Sequence, residues 1–110
     1  MYKILIVEDE EIIAYDLKLN LELEGYEVFE PCTSGEKSIE IAKSQKPDLV
    51  VMDIILKGEM DGINAAAEIN KLGIPIVFLT ATTKTVDGFD CLNKPYNLNE
   101  LLGLIERNLK

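Results

Sequence analysis

Three stretches of this chain are continuously apolar and largely β-branched: Ile4-Leu5-Ile6-Val7, Leu49-Val50-Val51-Met52 and Ile74-Pro75-Ile76-Val77-Phe78-Leu79. A strand with one wet face alternates apolar and polar residues. A short run without alternation is a strand covered on both faces. Two weaker runs, Tyr26-Glu27-Val28-Phe29 and Phe89-Asp90-Cys91-Leu92, also have strand character. Between the runs lie segments of helical period. Residues 10–24 put Ile13, Leu17 and Leu21 on one stripe and stop at Gly25, a C-terminal cap. Residues 35–44 follow Ser34, an N-cap, and stop before Pro47. Residues 62–72 follow Asp61 and end at Gly73. Residues 98–109 follow Asn97, with Glu100 three positions on, a variant of the capping box. Strands alternating with helices imply parallel pairing and right-handed crossovers. The expected fold is α/β: a three-layer sandwich with helices on both faces of a five-stranded parallel sheet. The 110 residues amount to one domain, with no repeat, linker or low-complexity stretch.

In such sheets function gathers at the carboxyl ends of the strands. After Ile4–Val7 come Glu8, Asp9, Glu10 and Glu11. After Leu49–Met52 comes Asp53, between two aliphatic runs. After Ile74–Leu79 comes Thr80. After Leu92 come Asn93, Lys94 and Pro95. A parallel sheet delivers all of these to one edge, which places Asp53 at the mouth of the core rather than inside it. Clustered carboxylates cannot all ionise without a cation. Their oxygens, a backbone carbonyl and waters suit Mg²⁺, or Mn²⁺ with similar tastes. A metal-held aspartate still has a free oxygen to attack phosphorus. In this arrangement Glu8 and Asp9 hold the metal, Asp53 accepts the phosphoryl group, and Thr80 and Lys94 hold its oxygens. Taken singly, each residue is ordinary: a turn aspartate, acids favoured at a helix start, a strand-end threonine, a Lys-Pro turn. Their convergence carries the reading.

Composition narrows the alternatives. Twenty acids against eleven bases give a net charge of −9, which disfavours direct contact with nucleic acid or an anionic membrane. No apolar run approaches the ~20 residues of a membrane helix, and the N-terminus does not read as a signal peptide. Two cysteines, Cys32 and Cys91, build no disulfide framework, so a reducing, cytoplasmic setting is expected. The absence of histidine removes the commonest general base and any phosphohistidine carrier.

The motifs "ILIVEDE" at 4–10, "PDLVVMDIILKGEMDGI" at 47–63, "IPIVFLTA" at 74–81 and "NKPYNLNELLGLIE" at 93–106 resemble, in order and spacing, the receiver domain of response regulators. The resemblance spans nearly the whole chain. It implies the flavodoxin-like strand order 2-1-3-4-5, shared by the family's chemotaxis member. It implies a phosphoaccepting Asp53, Mg²⁺ on Glu8, Asp9, Asp53 and the main-chain carbonyl of Ile55, phosphoryl contacts from Thr80 and Lys94, and a cis Lys94–Pro95 bond. A sensor histidine kinase is the implied phosphodonor, with a downstream protein or output domain as receiver of the signal. The protein is then a signalling phosphoacceptor, not an enzyme acting on a separate substrate, and either stands alone or is excised from a longer one. The "DIILKGEMDGI" loop, one residue longer than the commoner form, resembles receivers associated with sensor kinases and multidomain partners.

The sequence also departs from that family. Only Ala81–Phe89 separate Thr80 from Asp90, whereas a crossover with its helix takes ~10–12 residues. Nine extended residues span ~30 Å. The fourth helix is therefore expected to be one turn or absent, which the β-branched "TTKTVDG" favours. The aromatic residue that the family often carries three positions before the lysine is Cys91 here, flanked by Phe89 and Tyr96. This puts the threonine–aromatic relay in doubt. Ile55 and Thr82 cannot orient an attacking water as a carboxamide could, so slow-to-moderate loss of the phosphoryl group is expected. Ile12, Tyr15, Leu19 and Leu23 form a second apolar stripe on the first helix. Either the last helix packs over it, or it is a face for a partner or for homodimer formation.

Other functions fit less well. Phosphatases working through an aspartyl-phosphate usually need a second acid two residues on, where Ile55 stands. A flavin carrier wants a phosphate loop after the first strand, and "EDEE" repels phosphate. A receiver-like scaffold that binds partners without phosphorylation is the alternative left standing.

Overall fold

The structure, a computed structural model, describes residues 1–110 except 57, 82, 84 and 110. Its elements are β1 (Lys3–Val7), α1 (Glu11–Leu23), β2 (Glu27–Val28), α2 (Gly35–Gln45), β3 (Leu49–Asp53), α3 (Gly62–Asn70), β4 (Ile76–Thr80), β5 (Asp90–Asn93) and α4 (Leu98–Leu109). The five strands form one parallel sheet in the order β2-β1-β3-β4-β5. This is the expected architecture.

Side chains alternate across the sheet and define two cores. Leu5, Val7, Val50, Met52, Ile76 and Phe78 meet Ala42 of α2 and Ala65, Ala66 and Ile69 of α3 on one face. Ile4, Ile6, Leu49, Val51, Val77 and Leu79 meet Ala14, Leu17 and Leu21 of α1 and Leu101 and Ile105 of α4 on the other. The uninterrupted apolar runs are thus explained, because both faces of the sheet are dry. The caps follow the sequence: Ser34 Oγ accepts from Lys37 N, Asp61 Oδ1 from Asn64 N, and Asn97 Oδ1 from Glu100 N.

Several boundaries move. Asp53 is the last residue of β3 and only 6% exposed, so it lies within the core's rim rather than outside it. β4 starts at Ile76, not Ile74, since Pro75 has no N–H for the ladder and enters it only as an acceptor from Val50 N. β2 keeps two residues, pairing Lys3 with Glu27 and Ile4 with Val28 at the sheet edge. α3 ends at Asn70, where Leu72 N bonds Ile69 O in a tightened turn and the Asn70 amide reaches Ile74 O.

Among the described residues no helix lies between β4 and β5, so the last helix of the chain is α4. The segment turns at Asp87–Gly88, where Gly88 has φ +85° and Phe89 N donates to Val86 O. Val86 and Phe89 fold onto the core face shared with α3, and the Phe89 ring meets Phe78 edge-on at 5.5 Å. Two side chains thus do part of the covering that a helix would otherwise provide. Packing of the last helix over the second stripe of α1 does not occur: Ile12 is 88% exposed, and Tyr15, Leu19 and Leu23 are exposed as well.

Candidate functional site

The carboxyl ends of β1, β3, β4 and β5 bring most of the expected residues to one edge. Glu8 directly follows β1, and its amide is held by the carbonyl of Cys32, which bridges to Val7. Asp53 closes β3 opposite Leu79, and Thr80 closes β4 opposite Asn93. Lys94 follows β5, with its amide on the Thr80 carbonyl at 2.8 Å, and the Lys94–Pro95 bond is cis. Glu8, Asp53 and Thr80 are all buried.

One ammonium serves two carboxylates. Lys94 Nζ lies 2.5 Å from Glu8 Oε1 and 3.2 Å from Asp53 Oδ2. Asp53 Oδ1 also accepts from the amide of Ile55 at 3.3 Å, and Glu8 Oε2 from the amide of Glu10 at 3.1 Å. The contact to Glu8 Oε1 is close but lacks the direction of a hydrogen bond, so this buried oxygen has a neutralising charge and no directed donor. Burial raises the Glu8 carboxyl to about 7, with the Asp53 charge adding to the rise and Lys94 and the Glu10 amide opposing it. Burial works to lower Lys94, but the adjoining Glu8 and Asp53 carboxylates outweigh it, and its pKa lies above the ordinary value.

Glu8, Asp9 and Glu10 offer carboxylate oxygens within 4.8 Å of one another. Asp53 is not part of that close group; it is joined to Glu8 through Lys94. The donor set fits a hard divalent cation, as an all-oxygen cluster of excess negative charge with one buried oxygen short of a directed partner. Thr82 lies outside the described residues.

Sequence reasoning missed two participants. Glu10 was seen only as part of an acidic run. Gly62 opens α3, and its amide donates to Ile54 O at 2.8 Å. A Cβ there would stand 1.9 Å from the Asp53 carbonyl oxygen and 2.9 Å from Ile54 Cα. Backbone meets backbone at this point, so nothing flexible can yield. Gly62→Ala should therefore displace Asp53 and cost about 3 kcal/mol, the upper end of overpacking. Urea denaturation checks this, and an unchanged midpoint would show that the loop can move aside. The only sequence signal was a Gly after a capping Asp, which many helix starts share.

A family model of the response regulator receiver domain matches residues 4–106. The transcriptional regulatory protein PdtaR of Mycobacterium tuberculosis is 38% identical over 113 residues, covering 94% of this chain and 55% of that protein. The chain thus spans about half the length of the curated relatives it matches. The signal receiver domain of a modulated diguanylate cyclase from Desulfovibrio desulfuricans superposes with a TM-score of 0.92 at 31% identity, covering 99% of this chain and 94% of that one. The N-terminal domain of a response regulator/sensory box/GGDEF protein from Carboxydothermus hydrogenoformans gives 0.86 at 34%, covering 97% and 93%. With its sheet order, a family model matched over residues 4–106 and a relative 38% identical across 94% of its length, the chain belongs to the response regulator receiver domains.

Proposed function

We propose that this domain is a phosphoacceptor in a two-component phosphorelay, taking a phosphoryl group from a sensor histidine kinase onto Asp53. The observation that carries this reading is the Lys94 ammonium shared between buried Glu8 and buried Asp53 at the carboxyl edge of the sheet. An Asp53 oxygen forms the new O–P bond as the donor's N–P bond breaks, and the imidazole nitrogen keeps the electron pair. Lys94 and Thr80 hold the phosphoryl oxygens as charge builds on them. Glu8, Asp9, Asp53 and the carbonyl of Ile55 would hold Mg²⁺ or Mn²⁺. The bound ion supplies charge neutralisation for the transferring group. On this reading the domain acts on no separate substrate, works in the cytoplasm, and switches contact with a downstream protein or output domain. The described relatives include a transcriptional regulator and a diguanylate cyclase. Output is therefore set by what the receiver contacts, not by its fold. No helix among the described residues is long and apolar enough to cross a membrane. The test is incubation with Mg²⁺ and acetyl phosphate, read by intact mass in the wild type and in Asp53→Asn.

Metal binding should depend on pH in a fixed direction. Glu8 in the folded, metal-free protein titrates near 7, above the usual 4.5. The native state therefore holds more protons than the unfolded chain between those values. Metal-free stability falls as pH rises through that window. A cation displaces the Glu8 proton, so its stabilising effect grows as pH rises toward and past 7. The Mg²⁺-induced rise in Tm should be larger at pH 8 than at pH 6 and absent in the Glu8→Gln/Asp9→Asn double variant. A double variant that keeps the full response would move the metal elsewhere.

A further inference from the structure

Directly after Lys94 and Pro95 comes Tyr96. Its hydroxyl donates to Asp16 Oδ2 at 2.6 Å and accepts from Asn20 Nδ2 at 2.9 Å. Asp16 and Asn20 stand one turn apart on α1 and are joined at 3.4 Å. Burial first, then the bond to Asp16, raises the Tyr96 hydroxyl to about 12, so it stays a donor. A cavity of about 270 Å³ runs along this contact, lined by Ile12, Ile13 and Asp16 of α1 and by Lys94, Pro95 and Tyr96. α1 thus meets the segment carrying the site's lysine across a partly open space, with a polar clasp holding the two together. Meanwhile, the β5 position where the family often has a mobile ring is Cys91, which packs against the core face shared with α3 and whose thiol donates to the Phe89 carbonyl at 3.9 Å.

We propose that the Asp16–Tyr96–Asn20 clasp couples the position of Lys94 to α1, so that phosphoryl occupancy of Asp53 is read out on α1. The inference rests on the phosphoacceptor reading of Asp53. Lys94 Nζ is divided between Glu8 and Asp53. A phosphoryl group on Asp53 brings new anionic oxygens, and the ammonium follows them. The Lys94 amide is tied to Thr80 O and Pro95 has a fixed φ, so the part of the movement that the lysine stem does not take up is carried along the chain rather than lost in free backbone rotation. The displacement passes to Tyr96, whose hydroxyl carries it to two side chains of α1. Tyr96 is a positioning residue here; it touches none of the reacting atoms.

Amide exchange with and without Mg²⁺ and beryllofluoride tests this in the full chain. In the wild type, binding is expected to change the amides of Asp53–Ile55 and to alter protection across Asp16–Asn20 about fivefold or more. Tyr96→Phe keeps the ring and should bind beryllofluoride while losing the α1 response. Asp16→Ala should behave likewise. Asp16→Asn, which retains an acceptor for the hydroxyl, should keep the response. An unchanged α1 in a wild type that binds beryllofluoride, or a wild-type response in Tyr96→Phe, overturns the clasp. Failure of the wild type to bind beryllofluoride at all overturns the phosphoacceptor reading, and the clasp with it.

Discussion

Acetyl phosphate with Mg²⁺ should add one phosphoryl group to the wild type and none to Asp53→Asn. The carboxamide keeps the shape of the side chain but has no anionic oxygen to attack phosphorus, so labelling should fall to about a hundredth of wild type or less. The group added to the wild type should be acid-stable and base-labile, as an acyl phosphate is. Folding should survive the change. Asp53 sits at the end of β3, and the bond from the Ile55 amide to Oδ1 can be accepted equally by an amide oxygen. Lys94 retains Glu8 as a partner at 2.5 Å. A cooperative melt with no label is therefore the expected outcome. Equal labelling of the two proteins would place the acceptor on another carboxylate, with Glu10, grouped with Glu8 and Asp9, the first to examine.

The sheet and its helices were legible because dry strands leave a signature that turns and caps punctuate. Once parallel pairing was inferred, the gathering of Glu8, Asp53, Thr80 and Lys94 at one edge followed from chain order alone. What one sequence could not show was geometry at short range. Nothing in "EDEE" says that Asp9 and Glu10 group with Glu8 while Asp53 joins through Lys94. Nothing in "MDGI" says that Gly62 must be bare because the Asp53 carbonyl occupies the space. Long-range polar pairs are equally silent: Tyr96 finds Asp16 eighty residues away. The second stripe of α1 was ambiguous for a related reason. Its period showed an apolar face, but only the fold shows that α4 packs against the sheet beside Leu17 and Leu21 and leaves Ile12 and Leu23 in water.

The link from β4 to β5 should order when Asp53 is phosphorylated. Its two ends are already anchored in this structure. Thr80 is buried at the end of β4, and Val86 and Phe89 pack against the core face, the latter on Phe78. Between these anchors, Ala81, Thr83 and Thr85 are exposed, and among the described residues none is helical. Exposed backbone outside regular structure opens at low cost, so the amides of Ala81, Thr83 and Thr85 should exchange early in the free protein. If Thr80 turns toward a phosphoryl oxygen, it draws Ala81 and the chain beyond it against the site. Part of the binding energy then goes into ordering a link whose described residues lie outside helix and strand. With Mg²⁺ and beryllofluoride, protection across 81–89 should rise about tenfold, which corresponds to ~1.4 kcal/mol of added local stability. The Asp53→Asn protein should show no such rise. Protection that is already high and equal in both states would mean that this link is fixed by Val86 and Phe89 alone. The phosphoryl signal would then have to leave the site by way of Lys94 and α1.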